Sequence, residues 1–519
     1  MNFLSGNASG RLLLPSGITG MLISGIVIYM LVMLAIGWFA SRKVSRMSDF
    51  LVAGRRLPLW MATATLLATW FGAGSSMGVA ATVYSSGISG VLADPFGASL
   101  SLILAGVFVV GMLRRQNCMT VTDIIERRFG KGAGIYASLW MIPVYVGWLG
   151  SQLLGLGTIL HLLTGIDIIY GTLIGAGVVL IYTCAGGMWA VTLTDVVQIG
   201  IVVLGLIVIF PGAVNMAGGA DVLLGSLTEA DTLLPVGAEC FNDYVYYIGS
   251  WIIMGLGCMV GQDLVQRSLA SKNSNVAVAS SVMSGFFYIV IAMIPVTIGI
   301  AARIILPKYG ISNAEMGDSL SNQVLPRIAI MVLENSPFFL SVFLAALTAA
   351  IMSSADSSLL AGASLLCNNI LAPLFPSLRE KWLLFSTRVA VVLLTVIALV
   401  VAIWVKSIYN LMIGSWISQL VIIFLPVMIA LYVPRATRNT VWATMLSGTA
   451  VWLGYTFIAG CGSGMSFVDL LSSSRFDRAI TCGAVYGFVS ALLTFICCYV
   501  GERISGEDNE ENSADSGKN

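Results

Sequence analysis

The chain has 519 residues, of which 58% are hydrophobic and 10% are charged, and its formal net charge at pH 7 is +1. This composition excludes an ordinary soluble domain, in which about a quarter of the residues are charged. The near-neutral balance also excludes a nucleic-acid partner, because such proteins present a basic surface. The composition therefore indicates an all-α polytopic protein embedded in a lipid bilayer.

Apolar windows of about 20 residues, the length that crosses a bilayer as a helix, predict about thirteen transmembrane spans. In chain order the predicted spans are 19–40, 58–85, 90–113, 133–163, 167–186, 193–215, 244–266, 277–303, 337–370, 383–405, 408–433, 440–460 and 479–500. An odd number of spans places the two termini on opposite sides of the membrane.

Lysine and arginine predict the orientation of these spans. Basic residues concentrate in loops such as 42–56 and 114–131, which lie on the inner side if the N-terminus is outside. The long loop 216–243 carries only acidic charges. The positive-inside rule therefore predicts an external N-terminus and a cytoplasmic C-terminus in the plasma (inner) membrane. Residues 502–519, rich in Ser, Asn and Glu, are predicted to form a disordered cytoplasmic tail.

Cysteine and histidine offer little chemistry in this chain. The nine cysteines show no C-x-x-C spacing, and only Cys240, Cys461 and Cys482 are placed for a disulfide on the outer side. The single histidine, His161, lies at the outer end of a span and is interpreted as an interfacial residue. With one histidine no H-E-x-x-H metal site can form, and we predict that the protein is not an enzyme.

Two predicted spans are interrupted by glycine. The span 58–85 contains the run Phe71–Gly78, and the span 244–266 contains the run Gly255–Gly261. Each glycine destabilises a helix interior by about 1 kcal/mol relative to alanine. Glycine clusters also allow helices to pack closely in a membrane, so close packing is the alternative to a break.

The positions of the two interrupted spans favour breaks. They are the first members of two consecutive five-span blocks, as expected for inverted repeats with discontinuous helices. In this organisation 1–519 is a single membrane transporter domain, with a first repeat at 58–215 and a second at 244–433. Span 19–40 precedes the repeats, and two trailing spans lie within 440–500. Unwound backbone at membrane depth lines a cavity, so the breaks indicate a binding site.

The ninth predicted span carries the run Ala350–Ser358, in which serines surround a carboxylate. Ser353, Asp356 and Ser357 share one helix face, and Ser354 lies beside the first of them. An ionised carboxylate facing lipid at this depth costs about 2.5–3.5 kcal/mol, so we expect the run to face the protein interior. A patch of hydroxyl, carboxylate and carbonyl oxygens suits a small, hard cation.

Four sequence pieces, taken together and in order, resemble the sodium:solute symporter family along nearly the whole chain. They are Thr120-Val121-Thr122-Asp123 through Glu126-Arg127-Arg128-Phe129-Gly130, Gly186-Gly187-Met188-Trp189-Ala190-Val191 through Thr194-Asp195 and Gln198, Gln266-Arg267, and the serine run. The resemblance implies a LeuT-type fold of two inverted five-helix repeats, each with one discontinuous helix, plus one leading and two trailing helices. Within the family, segments 68–74 and 353–358 are most similar to the high-affinity choline transporter branch.

The resemblance implies a sodium site between the second and ninth predicted spans. Its ligands would be the carbonyls of Ala68, Phe71 and Ala350 and the hydroxyls of Ser353 and Ser354. These residues include the oxygen patch described above, so the two lines of reasoning agree. Na⁺ is the only metal ion that this interpretation requires.

Some relatives hold a second sodium, and the matching set in this chain is Asp195, Ser353, Asp356 and Ser357. Asp356 stands where those relatives have serine. The additional carboxylate either strengthens the second site or is protonated and leaves the site empty. For Asp195 the alternative is an interfacial residue that caps the start of its span.

These features predict a secondary transporter that uses the inward sodium gradient to import a small polar organic solute by alternating access. A sodium-leak channel or a nutrient sensor on the same scaffold is the alternative from another functional class. Counterflow of labelled solute distinguishes them, because only a carrier shows it. The oligomeric state is left open.

The substrate prediction begins with two tryptophans. By the resemblance, Trp70 and Trp148 match aromatic cage positions of the choline transporters, and each π face contributes roughly 0.5–2 kcal/mol to binding an ammonium. The other two cage positions fall on Ala98 and Gly261, which have no ring. The cage is therefore half dismantled in this chain.

Polar residues near the breaks are the remaining substrate-binding candidates. They are Ser75, Ser76, Gln152, Gln262 and Asp263. The Asp263 side chain has two interpretations. If it faces the cavity, it selects an amine; otherwise it forms an i, i+4 ion pair with Arg267 on the same helix. The sequence therefore predicts a cationic or zwitterionic amine, with choline- or betaine-like compounds first. An amino acid such as proline and a carboxylate such as pantothenate are the alternatives.

Overall fold

The computed structural model describes residues 16–41, 51–235, 237–311, 322–377, 379–405, 408–461 and 474–516. Within these ranges the regular structure is helical, and one isolated β-bridge joins Leu57 to Ser271. Sequence predictions for the remaining residues, including most of the segment before α1, fall outside the described part of the chain.

The helices follow the apolar segments of the sequence. In chain order they are α1 (Ser16–Ser41), α2 (Leu59–Trp70), α3 (Gly74–Ser86), α4 (Ile88–Arg115), α5 (Thr122–Phe129), α6 (Lys131–Thr164), α7 (Ile168–Ala217), α8 (Phe241–Gly255), α9 (Gln262–Ala270), α10 (Ser274–Lys308), α11 (Val324–Val332), α12 (Pro337–Leu374), α13 (Glu380–Val405), α14 (Ile408–Ser415), α15 (Gln419–Tyr432), α16 (Arg438–Cys461) and α17 (Ser474–Ser516). A short helix, Ala220–Gly225, lies in the predicted outer loop.

The length and apolarity of these helices confirm an all-α polytopic membrane protein. Nine helical segments among the described residues are long and apolar enough to cross a membrane, with α8 and α9 counted together as Phe241–Ala270. The number rises to ten if the bent pair α2 and α3 is counted as one further span. Shorter apolar helices add Ile23–Val32, Ile168–Ile181 and Gln419–Tyr432. The two predicted spans 167–186 and 193–215 lie in the two parts of α7, which are separated by a kink at Gly187 with φ 55° and ψ −157°. The number thirteen stays a prediction.

Both glycine-interrupted spans are broken in the structure. Helix α2 stops at Trp70, and α3 continues from Gly74 at an angle of 60°. Helix α8 ends at Gly255, and extended backbone at Gly261, with φ −60° and ψ 133°, precedes α9. Close packing of an unbroken helix, the alternative interpretation, is therefore wrong for both spans.

A third interruption lies within α4, where the sequence predicts a continuous span. Asp94 leaves the helical conformation, with φ −132° and ψ 118°, immediately before Pro95. The proline ring disfavours the α conformation of the preceding residue, so the Asp-Pro pair is the local cause. Another break separates α14 from α15 between Ser415 and Gln419.

Helix α12 lies at the centre of the bundle. It packs against α1, α2, α6, α7 and α13. Every residue from Ala346 to Ser364 is buried, so the serine run faces protein on all sides. The predicted interior position of this run is therefore observed, and polar chemistry on α12 is shielded from lipid.

The C-terminal segment overlaps the last helix, because α17 extends through residue 502 to Ser516. The disordered cytoplasmic tail at 502–519 stays a prediction. The first of these residues is anchored, because Glu502 accepts hydrogen bonds from the hydroxyls of Thr437 (2.5 Å) and Thr440 (2.6 Å). Glutamate is also a good helix former, so the acidic segment can extend the last span.

The cysteine and histidine predictions have different outcomes. Cys240 and Cys482 carry free thiols, while the side chain of Cys461 lies outside the described residues. The imidazole Nδ1 of His161 lies 2.6 Å from the carbonyl oxygen of Ile166 at the end of α6. This contact fits a residue that closes a helix end, and the interfacial interpretation stays a prediction.

Asp231 ties the predicted outer loop to the helix bundle. Both of its carboxylate oxygens accept from Arg303 Nη1 at 2.9 Å, and the amide and hydroxyl of Thr228 each donate to Oδ2 at 3.0 Å. Arg303 also donates to the carbonyl of Tyr84 at 3.1 Å. Burial by itself raises the pKa of the Asp231 carboxyl, but Thr228 and Arg303 outweigh burial and hold the pKa below its ordinary value.

We predict that Asp231→Asn lowers the unfolding free energy at pH 7 by about 1–3 kcal/mol, since hydrogen bonds to a charged group are lost. A carboxyl whose folded pKa is depressed stabilises the fold fully above its unfolded pKa and loses that contribution as the pH falls through the folded value. The difference from wild type should therefore close only below about pH 4. Thermal unfolding across pH measures it, with exposed Asp221→Asn as the charge-matched control; equal stability of Asp231→Asn and wild type at pH 7 contradicts it.

Candidate sodium and substrate sites

The predicted ligands of the first sodium site lie where α2 ends against α12. Ala68, Phe71 and Ala350 are at most 2% exposed, and Ser353 and Ser354 are fully buried. A helix end leaves carbonyl oxygens without intrahelical donors, so the stop at the end of α2 frees acceptors for an ion. All five residues are buried, and Ser354 on α12 contacts the end of α2. That they bind one sodium ion together stays a prediction.

Ser354 is the direct link between the two helices. Its hydroxyl donates to the Thr69 carbonyl at 2.7 Å. A Cβ atom added to Gly72 would lie 2.4 Å from Ser354 Oγ, so this approach requires glycine in the break. A hydroxyl that reaches the end of a broken helix can turn its lone pairs to a cation.

The predicted second site is also assembled, with different partners. Asp195 is fully buried, and its Oδ1 accepts the Ser353 hydroxyl at 2.5 Å. The Thr65 hydroxyl donates to Oδ2 of the same carboxylate. The interfacial alternative for Asp195 is therefore wrong. Ser353, which the sequence assigns to both sites, is directed to the second site in this structure.

Ser357 and Asp356 complete the second set on α12. The Ser357 hydroxyl donates to the Ser353 carbonyl at 2.5 Å and lies 3.4 Å from Asp356 Oδ1. Thr69 Oγ1 lies 3.3 Å from Ser357 Oγ. Thr65 and Thr69 were not predicted from the sequence, although both lie on the face of α2 that the broken-helix pattern directs inward.

The Arg267 side chain has partners in this region that the sequence did not predict. Its guanidinium is fully buried, lies 3.7 Å from Asp195 Oδ2 and donates to the Ser357 hydroxyl. Its contact with Asp263 is to the backbone carbonyl, at 3.3 Å. Among the described residues no salt bridge within 4.0 Å joins the side chains of Asp263 and Arg267, although the guanidinium still acts on the Asp263 carboxylate through its charge. A guanidinium among the second-site oxygens opposes a second cation there.

Four aromatic side chains form the wall of the candidate substrate site. Trp416 lies 5.1 Å from Trp148 and 6.4 Å from Trp70 between ring centroids. Tyr145 lies 6.3 Å from Trp148. Trp416, at the break between α14 and α15, was not predicted, although a tryptophan at a helix break is the signal that singled out Trp70.

Asp263 joins this wall at the break before α9. Its Oδ2 accepts Trp70 Nε1 at 2.7 Å, and its Oδ1 accepts the Tyr145 hydroxyl at 3.1 Å. The side chain is fully buried, and none of the ion pairs within the described residues includes it. A buried carboxylate that is bonded to Trp70 and Tyr145 of the aromatic wall can attract a positively charged group.

The other polar candidates have different positions. Ser75 donates to the Trp70 carbonyl (2.9 Å) and to Asp94 Oδ2 (2.7 Å), which places it beside the wall. Gln152 Oε1 accepts the Ala73 amide at 2.8 Å and so holds the α2–α3 break. These two residues contact the break that carries Trp70.

Ser76 and Gln262 instead support the backbone. The Ser76 hydroxyl bonds the Gly72 carbonyl at 2.6 Å, and Gln262 bonds the Val121 amide at 2.8 Å and the Ser364 hydroxyl at 3.2 Å. The Gln262 side chain therefore ties the α9 end of the break to α5 and α12, while its backbone amide donates to the Tyr145 hydroxyl of the aromatic wall at 2.5 Å.

A second buried carboxylate, Asp94, was missed by the sequence prediction. It is fully buried, and its Oδ1 accepts the Tyr288 hydroxyl at 2.5 Å. Tyr288 packs edge-on against Trp70, with 6.4 Å between ring centroids. The Asp-Pro pair within an apolar span was the available signal.

Comparisons with known proteins agree with this arrangement. A model of the sodium:solute symporter family matches residues 50–448. High-affinity choline transporter 1 of Caenorhabditis elegans is 29% identical over 84% of this chain and 77% of its own length. High affinity choline transporter 1 of Homo sapiens is 28% identical over 82% of this chain and 75% of its own length.

The fold resembles that of a Na⁺-coupled sialic acid symporter solved in a substrate-bound outward-open state. The TM-score is 0.71 at 21% sequence identity, over 91% of this chain and 98% of that one. At this identity the likeness shows the fold alone, and the predicted LeuT-type fold is confirmed.

We predict that Ser354→Ala and Ser353→Ala weaken the apparent affinity for sodium by about 5- to 150-fold, because a hydroxyl ligand contributes roughly 1–3 kcal/mol. Thermal-shift titration of the purified protein with NaCl, at constant ionic strength in KCl, measures the affinity. Ser358→Ala is the matched control, because that buried hydroxyl donates to its own helix at Ala355 (2.8 Å). Unchanged sodium titrations of both test variants would remove these serines from the site.

Proposed function

The chain belongs to the sodium:solute symporter family, and on that premise we propose that it imports a cationic or zwitterionic amine together with Na⁺. It is a sodium-coupled transporter, so the questions specific to this chain are which solute it selects and which residues bind it. The observation that carries the proposal is Asp263, a buried carboxylate at a helix break that is bonded to Trp70 and Tyr145, with Trp148 and Trp416 in the same aromatic wall.

Charge supports an amine over the other solutes. The Asp263 carboxylate is in none of the salt bridges within 4.0 Å among the described residues, although the nearby Arg267 guanidinium acts on it through its charge. A bound ammonium would add a direct partner and lower the cost of burying this carboxylate. The tryptophan faces add cation–π attraction to the same group. A solute with only a carboxylate, such as pantothenate, would meet repulsion from Asp263. Choline-like and betaine-like amines and amino acids such as proline all bring the required cation.

The first sodium site supports coupling between the ion and the solute. Ser354 and Ala350 lie on α12, whereas Ala68 and Phe71 lie at the end of α2, beside Trp70. An ion held by both helices would stabilise the arrangement that places Trp70 and Asp263 together, which raises solute affinity by linkage. A tenfold gradient and a potential near 100 mV contribute about 1.4 + 2.3 kcal/mol per sodium, enough for roughly 500-fold accumulation.

For the second set, we expect the Arg267 guanidinium to take the place of a sodium ion. Asp195, Ser353, Asp356 and Ser357 would bind Na⁺ only after the guanidinium moves away from Asp195 and Ser357. This argument favours one coupling ion, held at the first site.

The broken helices support the proposed inverted repeats. The break between α2 and α3 opens the repeat 58–215, and the break between α8 and α9 opens the repeat 244–433. In such folds the substrate lies between the broken helices, which is where Trp70 and Asp263 make their hydrogen bond.

Counterflow tests the transport proposal. Proteoliposomes are loaded with unlabelled choline, proline or glucose and given the same solute in labelled form outside. We expect labelled amine to accumulate when Na⁺ is present, and we expect no accumulation of glucose. Asp263→Asn should weaken amine affinity by at least about tenfold, because a desolvated charge partner is lost. Asp221→Asn, at an exposed position, is the control. Sodium flux without counterflow would indicate a channel, and accumulation of glucose alone would contradict an amine substrate.

The orientation follows from the basic loops, and we expect the N-terminus outside and the C-terminus in the cytoplasm of the plasma (inner) membrane. A reporter fused after residue 519 should be protected in intact cells, and an epitope placed in 216–243 should be accessible. Permeabilised cells provide the control for epitope integrity. An external C-terminus would contradict both the orientation and the odd number of spans.

A further inference from the structure

Asp94, Tyr288 and Ser75 form a closed ring of oxygen contacts inside the bundle. The Tyr288 hydroxyl oxygen lies 2.5 Å from Asp94 Oδ1 and 2.6 Å from Ser75 Oγ, and Ser75 Oγ lies 2.7 Å from Asp94 Oδ2. All three side chains are at most 1% exposed. At these separations each pair of oxygens is a hydrogen bond, so each contact requires one hydrogen between the two atoms.

The two hydroxyl groups supply too few hydrogens for this ring. Tyr288 and Ser75 carry one hydroxyl hydrogen each. Ser75 also lies 2.9 Å from the Trp70 carbonyl, which accepts and has no hydrogen to give. With an ionised Asp94, two hydrogens would have to serve four contacts. At least one pair of oxygens in the ring would then be left sharing a single hydrogen with a neighbouring contact, which is unfavourable in a buried place.

A proton on Asp94 supplies the missing hydrogen. The carboxylic acid then donates to Tyr288, Tyr288 donates to Ser75, and Ser75 donates to the other carboxyl oxygen. The 2.5 Å contact thus runs from Asp94 to Tyr288, the reverse of the direction that an ionised carboxylate allows. A metal ion does not fit instead, because hard cations hold each oxygen at about 2.0–2.6 Å and so spread their ligands farther apart than these contacts.

The surroundings of Asp94 also favour the neutral acid. None of the ion pairs within the described residues includes it, and the groups that hydrogen-bond to it are Tyr288 and Ser75. Asp263 differs, because the Arg267 guanidinium acts on that carboxylate through its charge. A carboxyl group buried without a compensating charge is more stable in its neutral form.

The elements packed against Asp94 bring two titratable groups to it. Helix α10 brings Tyr288, and the segment between α8 and α9 brings the Cys258 thiol, on which Asp94 acts through its charge. The charged residues of α8 and α10 that form ion pairs have partners elsewhere: Asp243 pairs with Arg478, and Arg303 pairs with Asp231.

We propose that Asp94 is a proton-binding site, and that the bound proton closes the ring that holds the α2–α3 break to α4 and α10. The carboxylate takes this proton from water, and no other group changes its charge. Ser75 lies on α3, Asp94 on α4 and Tyr288 on α10, and Ser75 extends the ring to the Trp70 carbonyl at the end of α2. Loss of the proton would leave a buried charge and one ring contact without its hydrogen.

Infrared spectroscopy of the full-length protein in lipid nanodiscs tests the site, because a protonated carboxylic acid has a C=O stretching band that an ionised carboxylate lacks. At neutral pH we expect wild type to show a component of this acid band that shifts with isotopically labelled aspartate and is missing from Asp94→Asn. Asp221→Asn, at an exposed position, is the control and should retain the component. Identical acid bands in wild type and Asp94→Asn overturn the inference, whatever solute the protein transports.

Tyr288→Phe tests the ring separately from the proton. It removes the oxygen that accepts from the acid, so the Asp94 component should move to higher frequency. Tyr309→Phe makes the same chemical change at the 39%-exposed end of α10 and should leave the component in place. A component that does not move in Tyr288→Phe contradicts the ring.

Asp94→Glu decides if Asp94→Asn does not fold. The acid band that responds to labelled aspartate should then lose intensity, and an acid band that does not respond to the label should appear. An unchanged response to the label overturns the inference.

Discussion

Carboxylates buried in the middle of the bundle impose the constraint on which the rest of this structure depends. Asp94, Asp195, Asp263 and Asp356 are all fully buried. Burial of charge is tolerated only where hydrogen bonds or opposite charges compensate it. Hydroxyl groups contact all four, and Arg267 forms an ion pair with Asp195. Buried carboxylates of this kind suit the proposed binding of Na⁺ and of a cationic solute.

Breaks in the helices position many of the residues that surround these buried carboxylates. The break after α2 places Trp70, the break before α9 places Asp263, and the bend in α4 places Asp94. The break between α14 and α15 places Trp416 and, at the start of α15, Gln419. A regular helix satisfies its backbone internally and packs smoothly, so each departure from it frees polar groups to face the interior. The site therefore consists largely of helix ends.

Helix α12 connects the parts that such a transporter must couple. Ser354 bonds the end of α2, Ser353 bonds Asp195 on α7, and Ser357 accepts from Arg267 on α9. These contacts lie within two turns of one helix. An ion at the proposed first site would act directly on α2 and α12, and α12 contacts α9, which begins beside Asp263. These hydrogen bonds would give the proposed coupling of ion and solute a continuous physical route.

The sequence by itself determined the membrane class, the interior face of α12 and the two glycine-broken spans, because hydropathy and glycine act locally and leave periodic signals. It also identified Trp70, Asp263, Ser353 and Ser354 through their places on those spans. Only the tertiary structure decided the partners: Arg267 forms its salt bridge with Asp195, and Trp416 completes an aromatic wall begun far away in the chain. Such pairings depend on how distant helices cross, and a buried charge takes the partner that the packing brings nearest.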